Sequence, residues 1–247
     1  MSNSNHSYKA KKATFYGAGV GPGDPLLLTI KTHQLIQTAD VISYLASTDG
    51  HSQARDIARH SLASRTSDAE EVVVTMPMST DRSQANCAYD AAAQQLQKHL
   101  QAGKSVVFLC EGDPLFFGSF SYLLQRLSDD FSCQVVPGIA SVNAASAALQ
   151  QPLTLLQESF AVVSGRHTDQ QIENTLQQHD SVVIMKAGLA RPRILALLRK
   201  TGRWADGHYL EYIGRDNQRL VANLDELEDQ TGPYFSLFVI LRGERPA

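Results

Sequence analysis

The chain has 247 residues, 43% of them apolar, with a net charge of −3 and an isoelectric point near 6.2. That length suits one large or two small domains with a sizeable core, and the acidic balance offers no global basic field for nucleic acid. Cys87, Cys110 and Cys133 form no C-x-x-C pair, so neither a zinc site nor a disulfide framework is indicated, and no apolar stretch approaches the ~20 residues of a membrane span. Reduced thiols in a cytoplasmic protein without metal or membrane partner are the expectation.

Met1 to Lys12 is polar, lacks the apolar core of a signal peptide and is expected to be a disordered tail. Ala13–Ala18 predicts a first strand. Asp24 can cap the next helix and Pro25 suits its first turn, with Leu28, Leu35, Ile36 and Ala39 as its buried stripe. Val41–Leu45 and Glu71–Met78 predict two more strands. Asn86–Gln101 predicts a helix closed by Gly103. Ser105–Cys110 is nearly continuous in apolar residues, as a central strand buried on both faces would be. Ser119–Leu127 predicts a helix, Gln134–Val136 a short strand, and Ser141–Leu149 a small-residue helix stopped near Pro152.

Beyond residue 153 the pattern changes. Phe160–Ser164, Val182–Lys186, His208–Ile213 and Tyr234–Leu241 predict strands, and Pro192–Lys200 a helix between two of them. Leu224–Asp229 reads as an acidic surface helix or loop. The expected fold class is α/β: a parallel α/β domain over 13–153, then a second α/β domain with a more mixed sheet over 154–247. A cleft between two such domains is a favoured place for a ligand.

Three turns carry the chemical signal, each after an apolar run. The first, Gly17-Ala18-Gly19-Val20-Gly21-Pro22-Gly23-Asp24-Pro25, holds four glycines in seven residues, so the backbone can turn tightly and approach a ligand. It fails the dinucleotide fingerprint G-x-G-x-x-G, because Pro22 stands at the third glycine position. Asp40, at the distance of a ribose-binding acid, precedes its strand rather than following it. The second turn is Glu111-Gly112-Asp113-Pro114. Asp113 and the backbone there either accept hydrogen bonds from a ligand or simply cap the turn. Phe116, Phe117 and Phe120 either cover a flat ligand or belong to the core. The third, Pro137 to Ser141, leads into a helix of small residues. In open α/β sheets ligands bind at the carboxyl ends of strands, so the three turns point to one shared site. Nucleophilic catalysis finds little support: G-x-S-x-G is absent and the eight histidines lack metal spacing. Arg166, His167, Lys186, Arg191 and Arg193 cluster after strands of the second half. They either meet a polyanionic ligand or are solvated charge.

The order and spacing of these turns resemble the tetrapyrrole methylase family over about residues 13 to 243. Gly17 to Thr29 meet its G-x-G-x-G-P-G-D-P-x-x-L-T loop, Gly112 to Pro114 its G-D-P turn, and Pro137 to Ser141 its P-G-I-x-S turn. Ser52 to Arg55, Met76-Pro77-Met78, Cys110 to Phe120, Met185 to Gly188 and Tyr234 to Ser236 are similar to the branch acting at carbon 20 of precorrin-2. Relatives often carry a glutamate where Leu26 stands and a tyrosine where Phe117 stands. The resemblance implies a two-domain, dimeric methyltransferase of cobalamin biosynthesis that uses S-adenosylmethionine, with a small-molecule tetrapyrrole as its partner. It implies cofactor contacts from Pro22, Glu111, Gly112, Asp113, Phe116, Ala140, Ser141 and Met185. Substrate contacts would come from Gly19, Gly21, Asp24, Arg55, Arg166, Lys186 and Arg191. No residue stands out as proton acceptor. Methylation at another ring carbon, and a non-catalytic binding module of the same fold, stay open as alternatives.

Overall fold

The computed structural model describes residues 13–76 and 82–243. The expected tail and the end of the Glu71–Met78 segment therefore lie outside the described residues. A first unit ends at Ala140 and a second begins at Ser141. In the first, strands and helices alternate: β1 (Thr14–Gly19), α1 (Ile30–Thr38), β2 (Val41–Ala46), α2 (Gln53–Ile57), α3 (Arg59–Ala63), β3 (Glu70–Thr75), α4 (Arg82–Gln101), β4 (Val106–Cys110), α5 (Phe120–Leu127) and β5 (Ser132–Val136).

The first sheet runs β3-β2-β4-β1-β5 and every pair in it is parallel. β4 is central and wholly buried, as its apolar run predicts. Successive side chains of a strand point to opposite faces, and β4 feeds two separate cores. Val106, Phe108 and Cys110 pack with Phe15, Leu96, Phe120 and Leu123. Val107 and Leu109 pack with Ala18, Ile36, Ile42 and Ile57.

The segment after the first turn differs from the single helix expected. Asp24 does cap, accepting from the Leu26 N–H at 2.8 Å, but only a 3-10 turn, Pro25–Leu27, follows. Thr29 is extended and caps α1 afresh by accepting from the Thr32 N–H at 3.2 Å. A threonine at the N-cap position, Thr29, is the signal for this second cap. The Thr32 hydroxyl then donates to the Gly19 carbonyl at 3.1 Å, anchoring the end of β1 to this helix.

The second unit comprises α6 (Ser141–Leu149), β6 (Phe160–Ser164), α7 (Asp169–Gln178), β7 (Ser181–Met185), α8 (Arg191–Lys200), β8 (Gly207–Glu211), β9 (Arg219–Val221) and β10 (Ser236–Ile240). Its sheet runs β6-β7-β10-β8-β9. Only β6 and β7 are parallel, giving the mixed sheet expected. One face packs Ile172, Leu176, Ile194 and Leu198 against Tyr209 and Phe238.

The boundary near residue 153 requires correction. Val142, Ala144 and Ala145 of α6 pack against Val183, Leu210, Leu237 and Val239, so this helix covers the second sheet. The acidic 224–229 segment is not a purely surface element either. Leu224 and Leu227 are buried in the core beside Tyr209 and Val221. The short helices α2 and α3, the polar helix α7 and the three-residue β9 are elements the sequence reading passes over.

Candidate functional site

The glycine-rich turn begins as β1 ends. The Val20 N–H donates to the Cys110 carbonyl at 2.8 Å. Gly21 and Gly112 then form an antiparallel bridge, the Gly112 N–H donating to the Gly21 carbonyl at 2.8 Å. The first two turns are thereby one hydrogen-bonded assembly.

Asp113 adds the third. One carboxylate oxygen accepts from the N–H groups of Leu115 (2.9 Å) and Phe116 (3.1 Å), and the other from the Gly138 N–H at 3.1 Å. The fit is close because glycine stands at each contact. A Cβ on Gly19 would lie 2.6 Å from both the Gly112 oxygen and the Gly138 Cα. Gly112 itself has φ +62°, where a side chain is strained, and the nearest atoms to a Cβ there are 3.8 Å away. The three turns follow β4, β1 and β5, which are neighbours in the sheet. The sequence expectation of turns gathered at adjacent carboxyl strand ends therefore holds within this unit.

Around these turns Gly19, Gly21 and Pro22 are buried, while Gly112, Asp113 and Ala140 are half-buried. Glu111 and Phe116 are exposed. Phe116 meets Phe117 edge-on with ring centres 5.2 Å apart, and Phe117 adopts φ +55°, unusual for a bulky residue. Phe120 is no cover for a ligand. It is fully buried against Phe15, and a Cβ on Gly17 would strike its ring. The Cys110 thiol is pushed well up, first by burial and then by the charges of Glu111 and Asp113, so it is no nucleophile.

Arg55 stands elsewhere in this unit. Its guanidinium forks onto Glu71 at 2.9 and 3.1 Å, near the amino end of β3, and Tyr44 donates to the same carboxylate at 2.5 Å. The glycine turns lie at carboxyl ends, and the role of Arg55 as a substrate contact rests on the family resemblance alone.

In the second unit, Ser141 opens α6 and the half-buried Met185 ends β7. Lys186 follows in a left-handed conformation, φ +55°, and the Met185 carbonyl accepts from the Gly165 N–H at 2.7 Å. Arg166 is exposed beside this contact. Arg193 is turned to structure, donating to the carbonyls of Gly165 (2.5 Å) and His167 (3.1 Å).

Arg191 also requires correction as a substrate residue. It is 2% exposed, and its guanidinium is paired with Glu211 at 3.3 Å. Further donations go to the carbonyls of Gln230 and Thr231, the latter at 3.1 Å. A guanidinium so enclosed cannot reach a carboxylate in solution.

Among the described residues no group of three or more His, Cys, Asp or Glu is placed to hold a metal ion. No described helix is long and apolar enough to cross a membrane.

The chain has counterparts among known proteins. The model of the Tetrapyrrole (Corrin/Porphyrin) Methylases matches residues 14–228. The cobalamin biosynthesis protein CobIJ of Mycobacterium tuberculosis is 34% identical over 96% of this chain, and the chain spans 47% of that protein's length. The precorrin-2 C(20)-methyltransferase of a Sinorhizobium species is 32% identical, over 91% of this chain and 93% of that one. Among solved structures, the uroporphyrin-III C-methyl transferase of Thermus thermophilus complexed with S-adenyl homocysteine is similar with a TM-score of 0.68. It is 25% identical over 93% of this chain and 97% of that one. The chain belongs to the tetrapyrrole methylase family.

Proposed function

We propose that this protein transfers a methyl group from S-adenosylmethionine to carbon 20 of precorrin-2, or of its cobalt form, where it replaces the ring carbon's proton, releasing precorrin-3A, or its cobalt form, S-adenosylhomocysteine and that proton. The observation that carries the reading is the junction of the three turns, with Gly21 bridged to Gly112 and Asp113 bonded to Gly138. The similarity to the precorrin-2 C(20)-methyltransferase supports the ring position.

The residues fit the cofactor. At Gly112 the backbone is bare of a side chain, with Ile139 O and Ala140 Cα 3.8 Å from where a Cβ would stand, so a flat ligand can approach. Glu111 and Asp113 flank it with the negative charge that a sulfonium and an amine favour. Pro22, Glu111, Gly112, Asp113, Phe116 and Ala140 would hold the cofactor, and the family resemblance gives Ser141 and Met185 the same role. When bound, S-adenosylmethionine supplies an already electrophilic methyl group. The protein's work is then to align and to exclude water, a large contribution by itself. Gly19, Gly21 and Asp24 would line the substrate's side, and Arg166 and Lys186 would meet its carboxylates. We read the protein as a cytoplasmic homodimer on the family resemblance.

Anaerobic incubation of precorrin-2, with and without cobalt, together with S-adenosylmethionine tests this by mass spectrometry and absorbance. One added methyl on the bridging carbon is expected, and the faster form identifies the natural metal state. No methylation of either form, with S-adenosylhomocysteine still bound, would move the substrate elsewhere in the family.

A further inference from the structure

Two turns of the second unit approach each other through glycine. The Gly232 N–H donates to the Gly188 carbonyl at 2.9 Å, and the Arg191 N–H donates to the same oxygen at 3.2 Å. A Cβ on Gly188 would collide with the Pro233 carbonyl, and one on Gly232 would press on the Tyr209 hydroxyl and, at 3.0 Å, on the Arg191 guanidinium. The turn after β7 and the segment 230–234 before β10 are thus packed backbone to backbone around one buried cation.

That cation is Arg191. Its fork reaches three partners remote in sequence: the Glu211 carboxylate at the end of β8 and the carbonyls of Gln230 and Thr231. Its guanidinium carbon sits 5.3 Å from the centre of the fully buried Tyr209 ring. The planar guanidinium can serve several acceptors at once, which an ammonium on a flexible stem cannot. The turn it locks begins with Met185 and Lys186, the latter in its left-handed conformation. Residues held in such conformations persist only where their surroundings over-determine them.

We propose that Arg191 is a positioning residue for the methyl transfer. It holds the 186–190 turn against the 230–234 segment, so that Met185 and Lys186 are presented in the geometry that the cofactor and substrate require. The proposal rests on the cofactor reading given above for Met185. Arg191 touches neither ligand and acts through the turn.

Calorimetry with S-adenosylhomocysteine on the full chain tests it, with thermal unfolding recorded in parallel. Arg191→Lys keeps the charge but loses the fork, and Gly232→Ala crowds the fork while leaving Arg191 in place. Both should weaken binding about tenfold or more. Arg203→Lys is the control for simple destabilisation. Arg203 is a comparable clamp of the same unit, bonded to the carbonyls of Leu176 (2.7 Å), His179 (3.0 Å) and Asp180 (2.7 Å) at the far end of α7. It should lower the melting temperature and leave affinity within about twofold. Unchanged affinity in Arg191→Lys overturns the proposal, as does equal weakening in Arg203→Lys. If Arg191→Lys does not fold, Gly232→Ala decides by the same criterion. A wild-type protein that binds no S-adenosylhomocysteine overturns the cofactor reading, and this proposal with it.

Discussion

Asp113 and Gly138, 25 residues apart, are joined by a 3.1 Å hydrogen bond from the glycine N–H to the aspartate carboxylate. The other carboxylate oxygen caps the turn that Asp113 itself begins. The role that sequence reading leaves open between ligand contact and turn cap is therefore at least a cap, and one that reaches a second turn.

Asp113→Ala removes all three of these bonds. A loss of about 2–3 kcal/mol in stability is expected, since hydrogen bonds to a charged group are the strong ones. S-adenosylhomocysteine affinity should fall about tenfold or more. Asp113→Asn keeps an acceptor for Leu115 and Phe116 but faces Gly138 with an amide, so its stability loss should be smaller. Urea unfolding and calorimetry separate the two effects. Unchanged affinity in the alanine variant would take Asp113 out of the cofactor site.

Gly138→Ala and Gly112→Ala should differ in kind. A Cβ on Gly138 would meet the Gly112 oxygen, the Gly19 Cα at 2.8 Å and the Gly19 carbonyl carbon at 3.0 Å, all of them backbone atoms. The turns must separate, at about 1–3 kcal/mol, and activity should be lost. At Gly112 there is room, and the cost is conformational, about 1–2 kcal/mol for a left-handed residue. Denaturation midpoints and single-turnover methylation check both. Equal rates in Gly138→Ala and wild type would refute a shared, closely fitted junction.

The Glu71 carboxyl is held below its ordinary value, chiefly by the hydrogen bonds from Arg55, with Tyr44 adding to them against the cost of burial. A depressed folded value means that its stabilisation is present above the unfolded carboxylate range and is lost as pH falls through the folded one. Glu71→Gln should therefore be less stable than wild type near neutral pH, with the gap closing in acid. Urea unfolding across that range measures it. A gap that does not change with pH would show that the ion pair is not its source.

Thiol labelling should follow burial. Cys87 is exposed, Cys133 is half-buried and Cys110 is buried. Burial raises the Cys133 thiol and raises Cys110 well above its ordinary range. Only the thiolate reacts. Mass spectrometry after brief alkylation should find Cys87 modified first and Cys110 only in denaturant. Early labelling of Cys110 would mean that the end of β4 opens readily.

Local signals in the chain settled much of this protein. The apolar run at 106–110 has the look of a strand covered on both faces, and β4 is that strand. The glycine and proline turns recur after strands because only such residues let the backbone reverse and approach another chain segment. Their order and spacing also carry the family, since those features are written along the chain. Side-chain partnership was not written there. Arg191 reads as a free cation after a strand until Glu211, 20 residues on, and Gln230, 39 residues on, close around it. Arg55 is claimed by Glu71, 16 residues away. The small-residue helix α6 could cover either sheet, and its placement on the second rests on contacts with Leu210, Leu237 and Val239. A charge or an apolar face states only what it needs. Which group supplies that need is decided by long-range packing, and so by the tertiary structure alone.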